Sequence, residues 1–316
     1  AAETGMRLDS WFKVHFPGLG FGNLQKLLRS GQVRVDGGRV KADTRLQAGQ
    51  SVRIPPLGVD EKATGPVTAR TIRSQEDGDV LKQMLIYEDA KVFVFNKPAG
   101  LAVQGGSGLV RHVDGMLEAW RNKKGEKPRL VHRIDRDTSG CLVVAKTRGA
   151  AQALTAAFRE RDTKKTYWAL VKGVPRKRED KISTWLVKEQ TPDGDKMRVC
   201  QHGEPDSDHA VSYYRIIEKV GNNLTWLEME PYTGRTHQLR VHAAHIGHPI
   251  IGDPKYFEAD QNWEFPGGIQ KKWHLHARRI RIPNPSGGTI DVTAPLPPHM
   301  VQSWNLLGFD EADAEE

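Results

Sequence analysis

Apolar residues recur at helical spacing near the start of the chain. Leu8, Trp11, Phe12 and His15 in RLDSWFKVHF predict one helix, broken at Pro17 and Gly18. Leu24, Leu27 and Leu28 in FGNLQKLLRSG predict a second, with Gly31 placed to end it. The pattern then shortens. QVRVDGGRV alternates around a turn at Asp36 and Gly37, and QSVRIP adds another short strand. Residues 55–79, PPLGVDEKATGPVTARTIRSQEDGD, are rich in Pro, Gly and charge and read as a linker. The expected limits are a small domain over 1–56, a linker over 57–83, a larger domain over 84–308 and an acidic tail over 309–316.

Beyond Met84 the period changes from helical to mostly alternating. KVFVFNKPAG predicts a strand ending in a Pro-Gly turn, and GCLVVAK a strand buried on both faces. KKTYWALVKG and WHLHARRIRIP read as strands. HAVSYYRIIEKV and NNLTWLEMEP read as a hairpin joined at Gly221 and Asn222. RGAAQALTAAFRERD predicts an amphipathic helix with Ala151, Leu154, Ala157 and Phe158 inward, and RTHQLRVHAAHIG a further helix. Strands outnumber helices and follow one another through short turns. The expected class is α+β, with a central mixed, mainly antiparallel sheet preceded by a small helix-pair plus hairpin domain.

Composition narrows the function classes. With 316 residues, 38% hydrophobic and 27% charged, the chain is long enough for a real core and reads as globular. No apolar run approaches the roughly 18 residues a membrane span needs, and AAETGMRLDS has no apolar leader core, so no membrane partner and no secretory signal are expected. The two cysteines, Cys141 and Cys200, form no CxxC pair. A disulfide framework is not expected, and a cytoplasmic location fits. Net charge is +8 although FDEADAEE at the end holds five acids, so the rest of the chain is more basic still. Residues 1–56 hold nine Lys/Arg against four Asp/Glu, with Lys26 and Arg29 on the second helix and Arg34, Arg39, Lys41 and Arg45 on the hairpin. A polyanionic partner and a merely basic enzyme both fit.

Four stretches could carry chemistry. In VHRIDRDTSG (131–140), Asp135 stands between an apolar residue and a turn; it reads either as a turn cap or as a reactive carboxylate beside a cation. HRID departs from the kinase His-Arg-Asp loop, and no Gly-rich loop or Asp-Phe-Gly accompanies it. In EPYTGRTHQLRVHAAHIGHPIIGDPKY, Thr236 and Arg240 are four apart, on a helix face shared with Ala243 and Ala244. A guanidinium there needs an anion. His237, His242, His245 and His248 lack an HExxH pattern, and the nearest carboxylate is the distant Asp253, so no metal is expected. In KKTYWALVKG, Tyr167 reads as core or, after Lys164 and Lys165, as a base-stacking ring. NKPAGLAVQGGSG (96–108) lacks the Walker spacing and reads as a flexible loop. No GxSxG elbow and no dinucleotide fingerprint occur.

Taken together, LVHRIDRDTSGCLVVAKT, KKTYWALVKG and PYTGRTHQLRVHAAHIGHPIIGD resemble the RluA family of ribosomal large-subunit pseudouridine synthases, and within it the RluC-type branch. LHARRIRI is similar to the family's last strand motif and NKPAGLAVQGGSG to its first, with Gln104 where many relatives carry histidine. Residues 1–56 resemble the RNA-binding module shared with a small-subunit ribosomal protein. The resemblance implies a bacterial enzyme that flips a uridine out of its stack, breaks its glycosidic bond and rejoins the base through carbon 5, with no cofactor and no metal. It implies Asp135 as the essential carboxylate, Arg240 as its cation, Tyr167 as the ring against the flipped uracil and Arg133 as the filler of the vacated gap. Leu275 is the candidate apolar wall. His132, Arg136, Lys165, Arg235 and His237, with Lys26, Arg29 and Arg34 of the small domain, are the remaining candidate RNA contacts. Large-subunit rRNA is the implied partner and a monomer the implied state. The alternative is a non-catalytic RNA-binding factor for ribosome assembly that keeps the fold.

Overall fold

A computed structural model describes residues 4–16, 19–57, 67–106, 111–192, 194–257 and 267–315. The break at Pro17 and Gly18, residues 58–66 of the Pro/Gly linker, Ser107 and Gly108 of the glycine-rich loop, and Glu316 of the tail lie outside them. The chain divides into two compact units, 1–73 and 74–316.

In the first unit, α1 (Leu8–His15) buries Leu8 and Phe12, and α2 (Phe21–Arg29) buries Leu24 and Leu28. Both pairs have the i, i+4 spacing that puts them on one stripe. The hairpin of β1 (Arg34–Val35) and β2 (Gly38–Arg39) turns through Asp36 at φ 48° and Gly37 at φ 78°. Two positive φ values in a two-residue loop match the right-handed twist of the strands. β3 (Val52–Arg53) pairs with β1, and Val33, Val35 and Leu46 complete the core with the helices.

Helix α3 (Val67–Met84) begins inside the stretch expected to be linker. Its last turn is not solvated: Leu81 and Met84 are buried in the core of the second unit. The charged run SQEDGD hides this because Glu76 and Asp79 sit on the outer side of a helix while Asp77 pairs with Arg111.

The second unit is built on an eleven-stranded sheet. Its elements are β4 (Leu85–Glu88), β5 (Val92–Lys97), α4 (Val113–Met116), β6 (Arg129–Leu130), β7 (Ser139–Ala145), α5 (Arg148–Glu160), β8 (Lys164–Lys172), β9 (Glu179–Thr191), β10 (Gly194–Cys200), β11 (Asp208–Val220), β12 (Leu224–Pro231), α6 (Gln238–His245), β13 (Leu275–Pro283), β14 (Thr289–Thr293) and α7 (Pro298–Leu307). Strand order is β10-β9-β11-β12-β8-β13-β7-β5-β4, with β14 on β13 and β6 on β7. Every pairing is antiparallel except β13 with β7. All seven residues of β7 are buried because both faces are covered. Cys141, Val143 and Ala145 pack toward α5, while Leu142 and Val144 pack with the end of α3 and with α4. β8 divides likewise: Ala169 and Val171 pack toward α6, Trp168 and Leu170 toward α7.

The parallel pairing of β7 with β13 sits inside the sheet and fixes where the 131–138 loop ends. Gly140 has φ 110°, and a Cβ there would lie 2.2 Å from the carbonyl oxygen of Ala277. Only glycine lets β7 approach β13 this closely. The acidic tail is not detached: Phe309 is buried with Trp226 and Trp304, and Arg278 pairs with Glu311 at 2.9 Å.

Candidate active site

The loop between β6 and β7 is held from several sides. Ile134 is buried in the core beneath it. His132 accepts a hydrogen bond from the Val143 N–H at 2.8 Å, and its ring stacks on Phe158 with centroids 4.4 Å apart. Burial brings its pKa down to about 3, so the imidazole is neutral. His132 therefore fastens the loop to the fold through its Val143 and Phe158 contacts. The fully buried Lys97 donates to the carbonyls of Pro98, Leu101 and Arg136 at 2.9, 2.7 and 2.8 Å. Burial pulls its pKa down to about 7, against the charges of Asp137 and Asp135. At the far end Ser139 Oγ lies 2.8 Å from His276 Nδ1, whose Nε2 lies 3.0 Å from the Ala294 carbonyl.

Asp135 is thereby placed with its side chain outward. The Thr138 N–H donates to the backbone oxygen of Asp135 at 3.1 Å, so the main chain closes the turn and the carboxylate is not needed as its cap. That carboxylate, 31% exposed, receives Nη1 of Arg240 at 3.3 Å. Arg240 is 3% exposed and spends its other two nitrogens on Asp253, Nε at 2.7 Å and Nη2 at 2.8 Å. Its guanidinium lies over the rings of Trp273 at 3.9 Å and Tyr256 at 4.8 Å. The fork is thus satisfied before substrate arrives. Asp253 takes the short bidentate pair, and Asp135 receives one long bond that leaves it carboxylate oxygen to offer.

Tyr167 stands half-buried on β8 beside Met229 and Leu275. Burial first, and then the Asp135 charge, raise its phenol pKa well above the usual value. The ring is a neutral surface at physiological pH, which suits stacking better than proton removal from carbon 5. Leu275 is buried in the same cluster.

Helix α6 differs from its expected form. It starts at Gln238, so Thr236 precedes it, and Gln238 through Ala243 are buried in succession. Arg240 does not lie on an amphipathic stripe; the helix is enclosed on every side as far as Ala243. Two of the histidines are occupied by the fold: His242 bonds Thr184 and Ser212 at 2.9 and 2.8 Å, and His248 bonds the Lys172 carbonyl at 2.9 Å.

Of the other candidates, Arg133 is exposed, and Arg136 is exposed and pairs with Asp137 at 3.2 Å. Lys165, on the same strand face as Tyr167, is half-buried, and its pKa is lowered by burial. Arg235 is exposed and donates to the His209 carbonyl at 3.2 Å. In the first unit Lys26 is exposed, and Arg29, also exposed, donates to the Gln25 carbonyl. Arg34 instead turns inward, donating to the carbonyls of Gly31 at 2.9 Å and Gly37 at 3.3 Å. It clasps the helix end to the hairpin. Sequence reasoning missed Asp253, Lys97, Trp273 and Tyr256. A signal existed for Lys97, a lysine that ends an apolar strand.

Residues 91–245 match the model of the family described as RNA pseudouridylate synthase. The chain is 37% identical over 309 residues to the ribosomal large subunit pseudouridine synthase C of Pasteurella multocida, covering 96% of this chain and 91% of that protein. It is 38% identical over 311 residues to the protein of the same name from Vibrio cholerae, covering 96% and 94%. Among solved structures, the human RNA pseudouridylate synthase domain containing 4 superposes with a TM-score of 0.62 at 26% identity, covering 76% of this chain and 98% of that one. With a long relationship of this kind and the carboxylate, arginine and tyrosine brought together in one site, the chain belongs to the RNA pseudouridylate synthase family.

Proposed function

We propose that this protein isomerises uridine to pseudouridine in large-subunit ribosomal RNA. The observation that carries the reading is the Asp135 carboxylate, open to solvent yet set against a buried, already neutralised Arg240–Asp253 pair. In the reaction the bond from the sugar C1′ to uracil N1 breaks and a bond from C1′ to carbon 5 forms. A proton leaves carbon 5 and N1 gains one. Atoms and electrons balance within the substrate, so neither an oxidant nor a cofactor is called for. Asp135 takes part at the flipped nucleotide, Arg240 orients it through the 3.3 Å hydrogen bond, and Tyr167 offers its ring to the base. Arg133 fills the gap in the stack, while Lys165, Arg136 and Arg235 meet the RNA backbone. The large-subunit assignment is supported by the names of the bacterial relatives. Lys26 and Arg29 of the first unit add an electrostatic anchor for RNA.

Mapping pseudouridines across ribosomal RNA from cells lacking the gene tests this. The expected result is loss of one or more large-subunit pseudouridines, restored by wild type and not by Asp135→Asn. An unchanged map would overturn the proposal and leave an RNA-binding assembly factor as the better description.

A further inference from the structure

The geometry points to a catalytic role for His237: its Nε2–H donates to a carbonyl oxygen of the flipped uracil and stabilises the negative charge the base gains on leaving C1′. This rests on the proposed function and adds a residue to its chemistry.

The backbone is the first sign. His237 has φ 52° and ψ 19°, in the left-handed region. The other non-glycine residues of positive φ among those described are Asp36, Arg161 and Asp206. Asp36 is in a hairpin turn, Arg161 is the C-cap of α5, and Asp206 lies in the β10–β11 connection. Turns and helix C-termini are ordinary places for that conformation. His237 instead occupies the N-cap of α6, where extended backbone and a capping Ser, Asp or Asn are usual, and its side chain makes no cap bond. A left-handed residue there costs stability, and glycine or asparagine would cost less. Something other than helix initiation accounts for an imidazole at this position.

The ring's hydrogen bonds then point to one tautomer. Nδ1 lies 2.8 Å from the Tyr256 hydroxyl, and that oxygen already accepts the Met197 N–H at 2.8 Å. No other acceptor for the phenol proton occurs among the described residues, so we assign that proton to Nδ1 and the imidazole proton to Nε2. Nε2 makes no hydrogen bond among the described residues, and the ring is only half-buried. Burial lowers the pKa of His237, so at neutral pH it is an uncharged donor with one N–H to offer.

Its surroundings bring the imidazole within electrostatic reach of the Asp135 carboxylate and the Arg240 guanidinium. Asp135 is the foremost of the charges that oppose the fall in its pKa, and the Arg240 guanidinium also acts on it. Tyr256, which orients the imidazole, packs its ring on the guanidinium that holds Asp135. One tyrosine thus sets both the cation of the reactive carboxylate and the imidazole beside it.

The chemistry needs such a donor. When the C1′–N1 bond breaks, its electron pair goes to the uracil, where it is shared with the two carbonyl oxygens. The charge disappears once the C1′–C5 bond has formed, the carbon 5 proton has gone and N1 is protonated. A fixed neutral N–H stabilises the departing base without surrendering its own proton.

The test compares two leaving bases. Fluorine at carbon 5 withdraws electrons and makes the uracil leave more readily, so help from a donor matters less. Single-turnover loss of the target nucleoside, read after nuclease digestion, is measured on RNA carrying uridine or 5-fluorouridine at that position. His237→Gly preserves the backbone conformation and removes the ring. It is expected to slow the uridine substrate by about 100-fold and the fluorinated one by no more than about 10-fold. His237→Asn, which also tolerates the left-handed conformation and retains an N–H donor, shows the same contrast with smaller losses. Equal losses on both RNAs, or no loss on either, overturn the role. Wild-type protein that consumes neither RNA removes the proposed function itself, and this role with it.

Discussion

Replacing Asp253 with alanine strips the buried Arg240 of its short bidentate partner. Both charges are almost wholly out of water, Arg240 at 3% and Asp253 at 0% exposure. Removing one member of such a pair costs about 3–5 kcal/mol, because the other is left buried and unpaired. Asp253 also accepts the backbone N–H groups of Lys255 and Tyr256, at 2.9 and 3.2 Å, and each orphaned donor adds about 1 kcal/mol. Against this, Asp135 can swing closer to the freed guanidinium and recover part of the loss. A net destabilisation of about 4 kcal/mol follows, or a fall in Tm of roughly 8–16 °C for a unit of this size. Asp135→Asn is the control. It loses one 3.3 Å bond at a partly exposed group and should cost less than about 1 kcal/mol. Urea denaturation and calorimetry of the two variants read this difference. If Asp253→Ala costs under about 1 kcal/mol, or Asp135→Asn costs as much as Asp253→Ala, the division of Arg240 between a structural and a reactive carboxylate is wrong.

Two other outcomes follow from the same geometry. His242, His274 and His276 are fully buried, and burial brings each pKa down to about 4. Below about pH 6.5 the unfolded chain binds protons the folded one refuses, so stability should fall between about pH 6.5 and 4, by up to roughly 1.4 kcal/mol per pH unit for each histidine. Urea midpoints that stay flat over that window would contradict it. Deleting residues 1–56 should weaken RNA binding and flatten its salt dependence, the log–log slope falling by about 0.7–0.9 for each phosphate that is no longer neutralised. An unchanged slope and unchanged efficiency on full-length rRNA would show that this unit is not an RNA anchor.

The parts of the fold written as local pattern were legible. The i, i+4 stripes of α1 and α2, the Asp36-Gly37 turn, the apolar run of β7 and the inward side of α5 all follow from spacing and turn chemistry. The long β9–β10 hairpin was not. Its alternation is interrupted where Thr184 points inward, and Thr184 is polar because it must bond the buried His242. Helix α3 was hidden for a different reason: Pro, Gly and charge precede its packed end. At the site, local pattern asked only for some anion beside Arg240, and the pairing with Asp135 came from the family resemblance. The same demand, pursued further, leads to Asp253. The partner of strongest geometry is thirteen residues away in sequence, and nothing in local period relates a helix to the turn that follows it.

The central claim is that Asp135 performs the chemistry while Asp253 holds the arginine beside it. Tritium release from rRNA labelled at uracil carbon 5, with wild type and Asp135→Asn compared at equal protein and equal RNA occupancy, tests it most directly. The account predicts release by wild type and none above background by Asp135→Asn, which stays folded and still binds RNA. Release by Asp135→Asn at a rate near wild type would contradict it.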